Sequence, residues 1–352
     1  MPLNTGTMNM ADLQAITNQS AVAFGLDAIA DVLARDLAAH NALVGEAFRD
    51  YCEITADNLR RSGASGAGEM IIADDYSRAP TQKPAAGGTI GIPKDLHQTA
   101  IGWTQRFLNK ATPAELASAQ LNIQSAHRRT LIRQMKRAIY DPTNDTVTDY
   151  TERNAVDLPV KRFYNADGWA ISNGPNGETY VGGTHTHYTA EAALSAAGLL
   201  AAVNNVVEHS TSGAVQVCIN AVNEAAVRAL TGFVAYVDAR LQLGTGQVPT
   251  ERLTVANSGN RAIGLFGQAE VWVKPWAVAG YAVILDTAAP EKPLALRTPN
   301  GVAPALVRVA ENDAFPLIAQ FYESEFGFGA LNRGAGAVHY FAGGTYVEPA
   351  IS

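Results

Sequence analysis

The chemistry-bearing residues of this chain gather in one short stretch. Thr184-His185-Thr186-His187 sets two imidazoles two positions apart, Glu191 follows, and His209 lies at the far end of the helix expected next. On a strand, His-x-His turns both rings to one face, and a nearby carboxylate would complete a divalent metal site. Two histidines without a second motif do not specify a metal, however. The expectation is therefore structural: histidines hydrogen-bonded at a strand-to-helix junction, with Glu191 favouring the positive end of the following helix. No metal and no cofactor is expected. A metal-dependent soluble enzyme using His185, His187 and Glu191 stands as an alternative.

Other chemistry is missing. The chain has no Gly-x-x-x-x-Gly-Lys-Ser/Thr loop, no Gly-x-Gly-x-x-Gly, no Gly-x-Ser-x-Gly and no His-Glu-x-x-His. The glycine pairs at 327/329, 334/336 and 343/344 lack the following helix that phosphate binding needs, so they are expected to permit turns or close backbone approach. Trp272, Trp276 and Tyr281, at strand spacing, are expected to pack in a core or interface. Asn332 and Arg333 are either polar anchors or a solvated turn. Lys83 and Lys94 are expected to be solvated or to meet a neighbour's carboxylates.

The longest stretch that reads as one element, and the one the rest of the chain is expected to be built around, is Thr112 to Tyr140. Thr112-Pro113-Ala114-Glu115 combines an N-cap Thr, a Pro at the first helical position and a Glu three residues after the cap. Asp141-Pro142 stops the helix, because the residue before a proline is pushed out of the α region. The result is a helix about 42 Å long. In its second half Leu131, Ile132, Met135, Ala138 and Ile139 fall on one arc, and Arg129, Arg133, Lys136 and Arg137 on the arc beside it. That basic arc is either a solvated face or a contact for a polyanion or a neighbour.

The chain has 352 residues, 47% of them hydrophobic, and a net charge of −7, so attraction to nucleic acid has to come from a local patch. Cys52 and Cys218 are isolated, which suits a reducing compartment. Residues 1 to 10 carry neither a cationic start nor an apolar run, and no stretch of 18 apolar residues occurs. A soluble protein made in a cytoplasm, with no membrane partner, is expected.

In chain order, Ala21 to Arg61 has a helical pattern whose apolar stripe must be covered by this chain or by another copy. A Gly/Ser joint follows at 61–68. Glu69 to Tyr76 and Thr89 to Ile92 are expected to pair as a polar hairpin, too poor in apolar residues to have its own core. Beyond Pro142, short strands are expected at Leu158 to Phe163, Trp169 to Ile171 and Thr179 to Val181. Helices are expected at Thr189 to His209, Asn220 to Leu243 and Val309 to Glu323. Further strands are expected at Val215 to Ile219, Ala269 to Val273, Tyr281 to Asp286 and Ala337 to Phe341. Helices and strands without a βαβ rhythm define an α+β class.

This order of parts resembles the tailed-bacteriophage major capsid proteins of the HK97 fold. The resemblance is carried by three stretches: Ile92-Pro93 through Thr112-Pro-Ala-Glu115 to Tyr140-Asp-Pro142; Gly267 to Asp286, with Trp272, Pro275 and Trp276; and Phe326-Gly-Phe-Gly through Asn332-Arg333 to Glu348-Pro349. It implies an N-terminal arm at 1–62, an E-loop hairpin at 63–102, a P-domain at 103–209 with its spine helix at 112–140, an A-domain at 210–325 and a return to the P-domain at 326–352. It implies E-loop contacts between subunits through Glu69, Tyr76, Lys83, Ile90 and Ile92.

It also implies hexameric and pentameric capsomers in an icosahedral virion shell, assembled in the bacterial host cytoplasm around double-stranded DNA held non-specifically, with portal, scaffolding or decoration proteins as further partners. Such a protein is not an enzyme. Some members cross-link a hairpin Lys to a P-domain Asn; Lys83 and Asn332 are the candidates, but no assisting Glu can be placed, and cross-linking is not expected. An encapsulin nanocompartment shell protein is the alternative within the same fold.

Overall fold

The computed structural model describes residues 8–61, 87–151, 155–210, 212–236, 260–314 and 317–351, with scattered positions between 62 and 86. Local capping sets the N-terminal helices. Asn9 and Asp12 form a reciprocal capping box on α1 (Met10–Ala15), and Ser20 caps α2 (Ala21–Phe24). Gly25, at φ +115°, then turns the chain into α3 (Leu26–Phe48). Leu13, Ala21, Ile29 and Val32 pack with Leu108, Leu116 and Ala117, so this chain itself covers part of the arm's apolar stripe. Val22, Leu26 and Leu43 stay exposed.

The helical pattern expected to reach Arg61 stops at Phe48. β1 (Cys52–Thr55) pairs in parallel with Leu294–Arg297, and β2 (Leu59–Arg61) pairs with β3 (Thr89–Gly91). Three- and four-residue spacing carried Ile54 into the helical reading, but long-range pairing supplies its backbone partners. The expected hairpin strand Glu69 to Tyr76 falls largely outside the described residues, and the partner of β3 is β2. Gly91 is needed here: a Cβ on it would lie 2.7 Å from the Leu158 Cβ.

β4 (Asp95–Thr104) and α4 (Gln105–Leu108) lead into α5 (Pro113–Tyr140). Thr112 Oγ1 accepts from the Glu115 amide at 3.3 Å, and Glu115 Oε2 accepts from the Thr112 amide at 2.7 Å. Caps of this type contribute about 1 kcal/mol. Of the apolar arc Leu131, Met135, Ala138 and Ile139 are buried and Ile132 is half-buried; Tyr140 is buried as well.

The remaining elements are β5 (Asp145–Asp149), β6 (Val156–Val160), β7 (Tyr188–Ala190), α6 (Ala196–Val207), β8 (Val215–Ile219), a 3-10 turn at Ala221–Asn223, α7 (Glu224–Arg228), β9 (Phe233–Ala235), β10 (Arg261–Phe266), β11 (Ala269–Val273), β12 (Tyr281–Asp286), β13 (Leu294–Arg297), β14 (Val307–Ala314), β15 (Leu317–Ala330) and β16 (Gly336–Tyr340). A mixed sheet runs β7-β16-β12-β8-β11-β10-β9. Its strands alternate faces. Val217, Ile219, Ile284 and Ala337 pack with Leu199, Val203 and Val206 of α6, whereas Cys218, Val283, Leu285 and Val338 share a core with Leu131, Met135 and Ile139 of α5. The sheet is thus held between α6 and the spine helix.

The second sheet runs β1-β13-β15-β14, with β4 also paired to β15. The helix expected at Val309 to Glu323 is instead β14 and the first half of β15. Burial shows why: Tyr322, Ser324 and Phe326 are buried, while Phe321 is exposed and Glu323 and Glu325 are partly exposed, a period of two. β15 pairs with β14, β13 and β4, which overrides any helical preference.

Two other helices are shorter than expected. Tyr188–Ala190 pairs with β16, so α6 begins only after Ser195, whose side chain caps it. After Asn220, a cap as expected, α7 ends at Arg228, and Gly232 at φ +93° leads into β9. The rest of the stretch expected to be helical, 237–243, lies outside the described residues. Among the described residues, Trp169 to Ile171 and Thr179 to Val181 form no strand. No described helix is long and apolar enough to cross a membrane.

Candidate functional site

His187 immediately precedes β7, and the parallel pairing of β7 with β16 fixes it. Its amide donates to Tyr164 O at 2.7 Å, its carbonyl accepts from the Val338 amide at 2.9 Å, and its Nδ1 donates to Gly336 O at 2.7 Å. His185 sits one turn of extended chain earlier, its carbonyl accepting from the Ala166 amide at 2.9 Å. The last turn of α6 delivers Glu208 and His209 to the same point. His185 Nε2 is 3.0 Å from His187 Nε2 and 2.9 Å from His209 Nε2. Glu208 Oε1 lies 3.5 Å and 3.7 Å from the Nε2 atoms of His185 and His209.

The cluster is roofed by aromatic rings. Tyr164 lies 5.2 to 5.7 Å from all three imidazoles, and Tyr180 stands 5.0 Å from His185 and 4.4 Å from His209. Burial lowers the pKa of His185, takes that of His187 well below the ordinary value, and pushes His209 down to about 4. Burial, with the charge of Glu178 adding, raises that of Glu208.

Glu191, the carboxylate expected beside His185 and His187, is elsewhere. It accepts from the Ser195 amide at 2.7 Å and the Ser195 hydroxyl at 2.6 Å, and it faces His339 Nε2 at 2.9 Å. Its role at the α6 N-terminus agrees with the dipole argument; the trio proposed for an enzyme does not form. Glu208 takes the place, and its only signal in the sequence is adjacency to His209 at a helix end.

A second polar centre secures the base of the 62–88 excursion. Arg297 is fully buried, and its Nη1 donates to Asp149 Oδ2 at 2.5 Å and to Ile92 O at 3.0 Å. Ile90 and Ile92, expected at a subunit contact, are instead buried within this chain, Ile92 beside Ala295 and Leu331. Lys94 is buried too, and its partner is Glu325 of the same chain at 2.9 Å. A Cβ on Gly327 would lie 2.1 Å from Pro93 O, so the glycine permits that close crossing. Glu69 and Lys83 lie outside the described residues; Met70, Ile72 and Tyr76 are fully exposed.

Arg333 is an internal anchor. It is buried, donates to Arg162 O and Asn165 Oδ1, and pairs with Asp167 at 3.1 Å. Asn332 accepts from the Gly334 amide and donates to Glu291 O. Trp276 meets Tyr51 edge to face, Tyr281 stacks on Tyr340, and Trp272 lies under Lys274 at 4.2 Å, so these aromatics are packing groups. On the spine helix Arg129 and Arg137 are exposed, while Arg133 and Lys136 are half-buried. None of the four forms an ion pair among the described residues.

Between α3 and α5, His40 Nε2 contacts His127 Nδ1 at 3.0 Å, and His127 Nε2 contacts Ser324 Oγ at 3.0 Å. Burial, with the nearby charges of His40, His97 and Arg128 adding, pushes His127 down to about 4 from 6.5. The unfolded chain therefore takes up this proton at a higher pH than the folded one, so stability is full above pH 6.5 and falls as pH drops toward 4. The expected contribution is on the order of 3 kcal/mol. Thermal melts across that window should show a falling Tm, with a shallower slope in His127→Gln.

No family model matches the chain, and no curated protein matches it. A solved structure from Mycobacterium phage Patience is 19% identical, with 100% of this chain and 97% of that chain covered at a TM-score of 0.68. The capsid of the native GTA particle computed with C5 symmetry is 12% identical over 84% of this chain and 90% of that chain, at a TM-score of 0.47. A structure from Mycobacterium phage Cain is 11% identical over 83% and 88%, at 0.44. The whole-length likeness to the first establishes the fold. It is the α+β, HK97-like capsid fold that the order of sequence elements resembles.

Proposed function

We propose that this chain is a shell subunit, the major capsid protein of a tailed bacteriophage, and that it self-assembles into hexameric and pentameric capsomers of an icosahedral shell around double-stranded DNA. The whole-length match in fold to a phage structure at a TM-score of 0.68 carries the reading. The stretch between β2 and β3 supports it, because its described residues Met70, Ile72 and Tyr76 are fully exposed and the paired strands that flank it are pinned by buried groups. Exposed apolar side chains of this kind are suited to burial on an adjacent copy.

In this reading residues 1–62 form the arm, 63–102 the E-loop, 103–209 the P-domain, 210–325 the A-domain and 326–352 the return. Glu69, Tyr76 and Lys83 meet the neighbouring subunit, while Ile90 and Ile92 anchor the loop from inside. Arg129, Arg133, Lys136 and Arg137 face acidic groups of neighbours or the packaged DNA; the net charge of −7 favours neighbours for some of them. Portal, scaffolding or decoration proteins join the shell in the host cytoplasm.

Negative-stain microscopy of the expressed chain, alone and with a scaffolding protein, tests this. Closed shells of uniform diameter are expected, and natural particles should hold nuclease-protected DNA. A chain that stays monomeric in both conditions refutes the shell reading. Enzyme cargo in place of DNA refutes the phage assignment and leaves a nanocompartment shell.

A further inference from the structure

We infer that His185, His187, Glu208 and His209 bind one Zn2+ ion, which clamps the C-terminal end of α6 to the segment entering β7. Each residue offers one donor atom, and the four atoms all lie within 4.8 Å of one another. A tetrahedral zinc site with Zn–N bonds of about 2.0–2.1 Å has donor-to-donor edges of about 3.3 Å. Of the six edges, four are 2.9, 3.0, 3.5 and 3.7 Å, on both sides of that value, and the two from His187 to His209 and Glu208 lie within 4.8 Å.

Counting hydrogens shows that the cluster cannot satisfy itself. The Nδ1 hydrogen of His187 goes to Gly336 O at 2.7 Å, so its Nε2 presents a bare lone pair. His185 Nε2 faces three atoms: His187 Nε2, His209 Nε2 and Glu208 Oε1. A neutral imidazole carries at most one hydrogen there, and that hydrogen can serve one acceptor. Whichever tautomers are present, at least one remaining contact sets like against like, lone pair facing lone pair or N–H facing N–H. Glu208 Oε1 is itself buried with no hydrogen-bond partner. A divalent cation at the centre converts these opposed contacts into four coordination bonds, and three imidazoles with one carboxylate suit zinc.

The surroundings have the features a metal site needs. The Gly336 carbonyl fixes the tautomer and orientation of His187, as an outer-shell acceptor does for a ligating histidine. Tyr164 and Tyr180 cover the imidazoles. An entry path exists on one side, where the side chains of Glu208 and His185 are 32% and 15% exposed while His187 is fully buried. All four positions of the tetrahedron are filled by protein, which is the closed arrangement of a structural rather than a catalytic zinc. The ion would tie together the two ends of the segment that holds α6 against the mixed sheet.

The test uses untagged full-length protein. After dialysis against a chelator, the folded chain is titrated with Zn2+ and, separately, with Co2+, whose tetrahedral complexes absorb strongly in the visible. Close to one equivalent per chain is expected, with the Co2+ bands bleached by Zn2+ and Tm about 5 °C or more lower without metal. His185→Ala and His209→Ala should lose stoichiometric binding and show a Tm unaffected by chelator. Because a variant could fold poorly, wild type alone also decides: a chelated chain that is folded by circular dichroism yet takes up neither ion overturns the site. Equal binding by the two variants overturns it as well. Shell formation is not the readout, so the outcome is independent of the capsid reading.

Discussion

Replacing residues 63–87 with an Asn-Gly turn is expected to leave a folded, soluble subunit that forms no closed shells. The excision removes only the excursion beyond the β2–β3 base, where Arg61 stands opposite Thr89. An Asn-Gly dipeptide supplies the positive-φ turn that a tight hairpin needs. The buried groups that anchor the base, Ile90, Ile92 and Lys94, all remain. What is lost includes Met70, Ile72 and Tyr76, which are fully exposed within this chain. A shell is held by many modest contacts repeated by symmetry, so losing one arm from every subunit weakens every interface at once. Circular dichroism and thermal melts should resemble wild type, while electron microscopy and sedimentation should show loss of particles. Normal shells from the excised chain would show that the excursion is not an assembly arm.

The second large effect concerns Arg297 and Asp149. Both side chains are fully buried, and Asp149 also accepts from the Thr151 amide and hydroxyl at 2.9 and 2.6 Å. Asp149→Ala breaks a buried ion pair in the core, which costs about 3–5 kcal/mol. Against a total stability of about 5–15 kcal/mol, much of the chain should unfold or aggregate at growth temperature. The double variant Asp149→Leu with Arg297→Met should recover part of the loss, since apolar replacement of a buried pair is often near neutral. Recovery is incomplete because Ile92 O loses its donor. Denaturant unfolding of the single and double variants measures the coupling; additive effects would show that the pair does not act as a unit. Burial pushes the Asp149 carboxyl up, but hydrogen bonds from Thr151 and Arg297 outweigh it and hold it below 3.8. Its contribution is therefore present above pH 3.8 and lost as pH falls below that, through the lowered folded-state value.

Several elements were legible because their signals are short-range. The Thr112–Glu115 capping box and the Pro142 stop bounded α5, and runs of β-branched residues marked β8, β11 and β12. Other stretches depart from their local pattern where a distant partner decides the conformation. Val309 to Glu323 contains helical spacings, yet β4, β13 and β14 recruit it as strand. Ile54 continues the periodicity of α3, yet β13 takes it into a parallel pair.

The same division applies to the functional groups. By itself the sequence determined the spine helix, the His-x-His pair, the α+β class and the order of parts, because caps, prolines and side-chain periodicity act within a few residues. Tertiary structure alone decided that Glu208 and His209, rather than Glu191, meet His185 and His187. It also decided that Ile92 is an internal anchor and that Arg297 finds Asp149. Each of these meetings depends on backbone pairing between segments far apart in the chain, which no local spacing encodes.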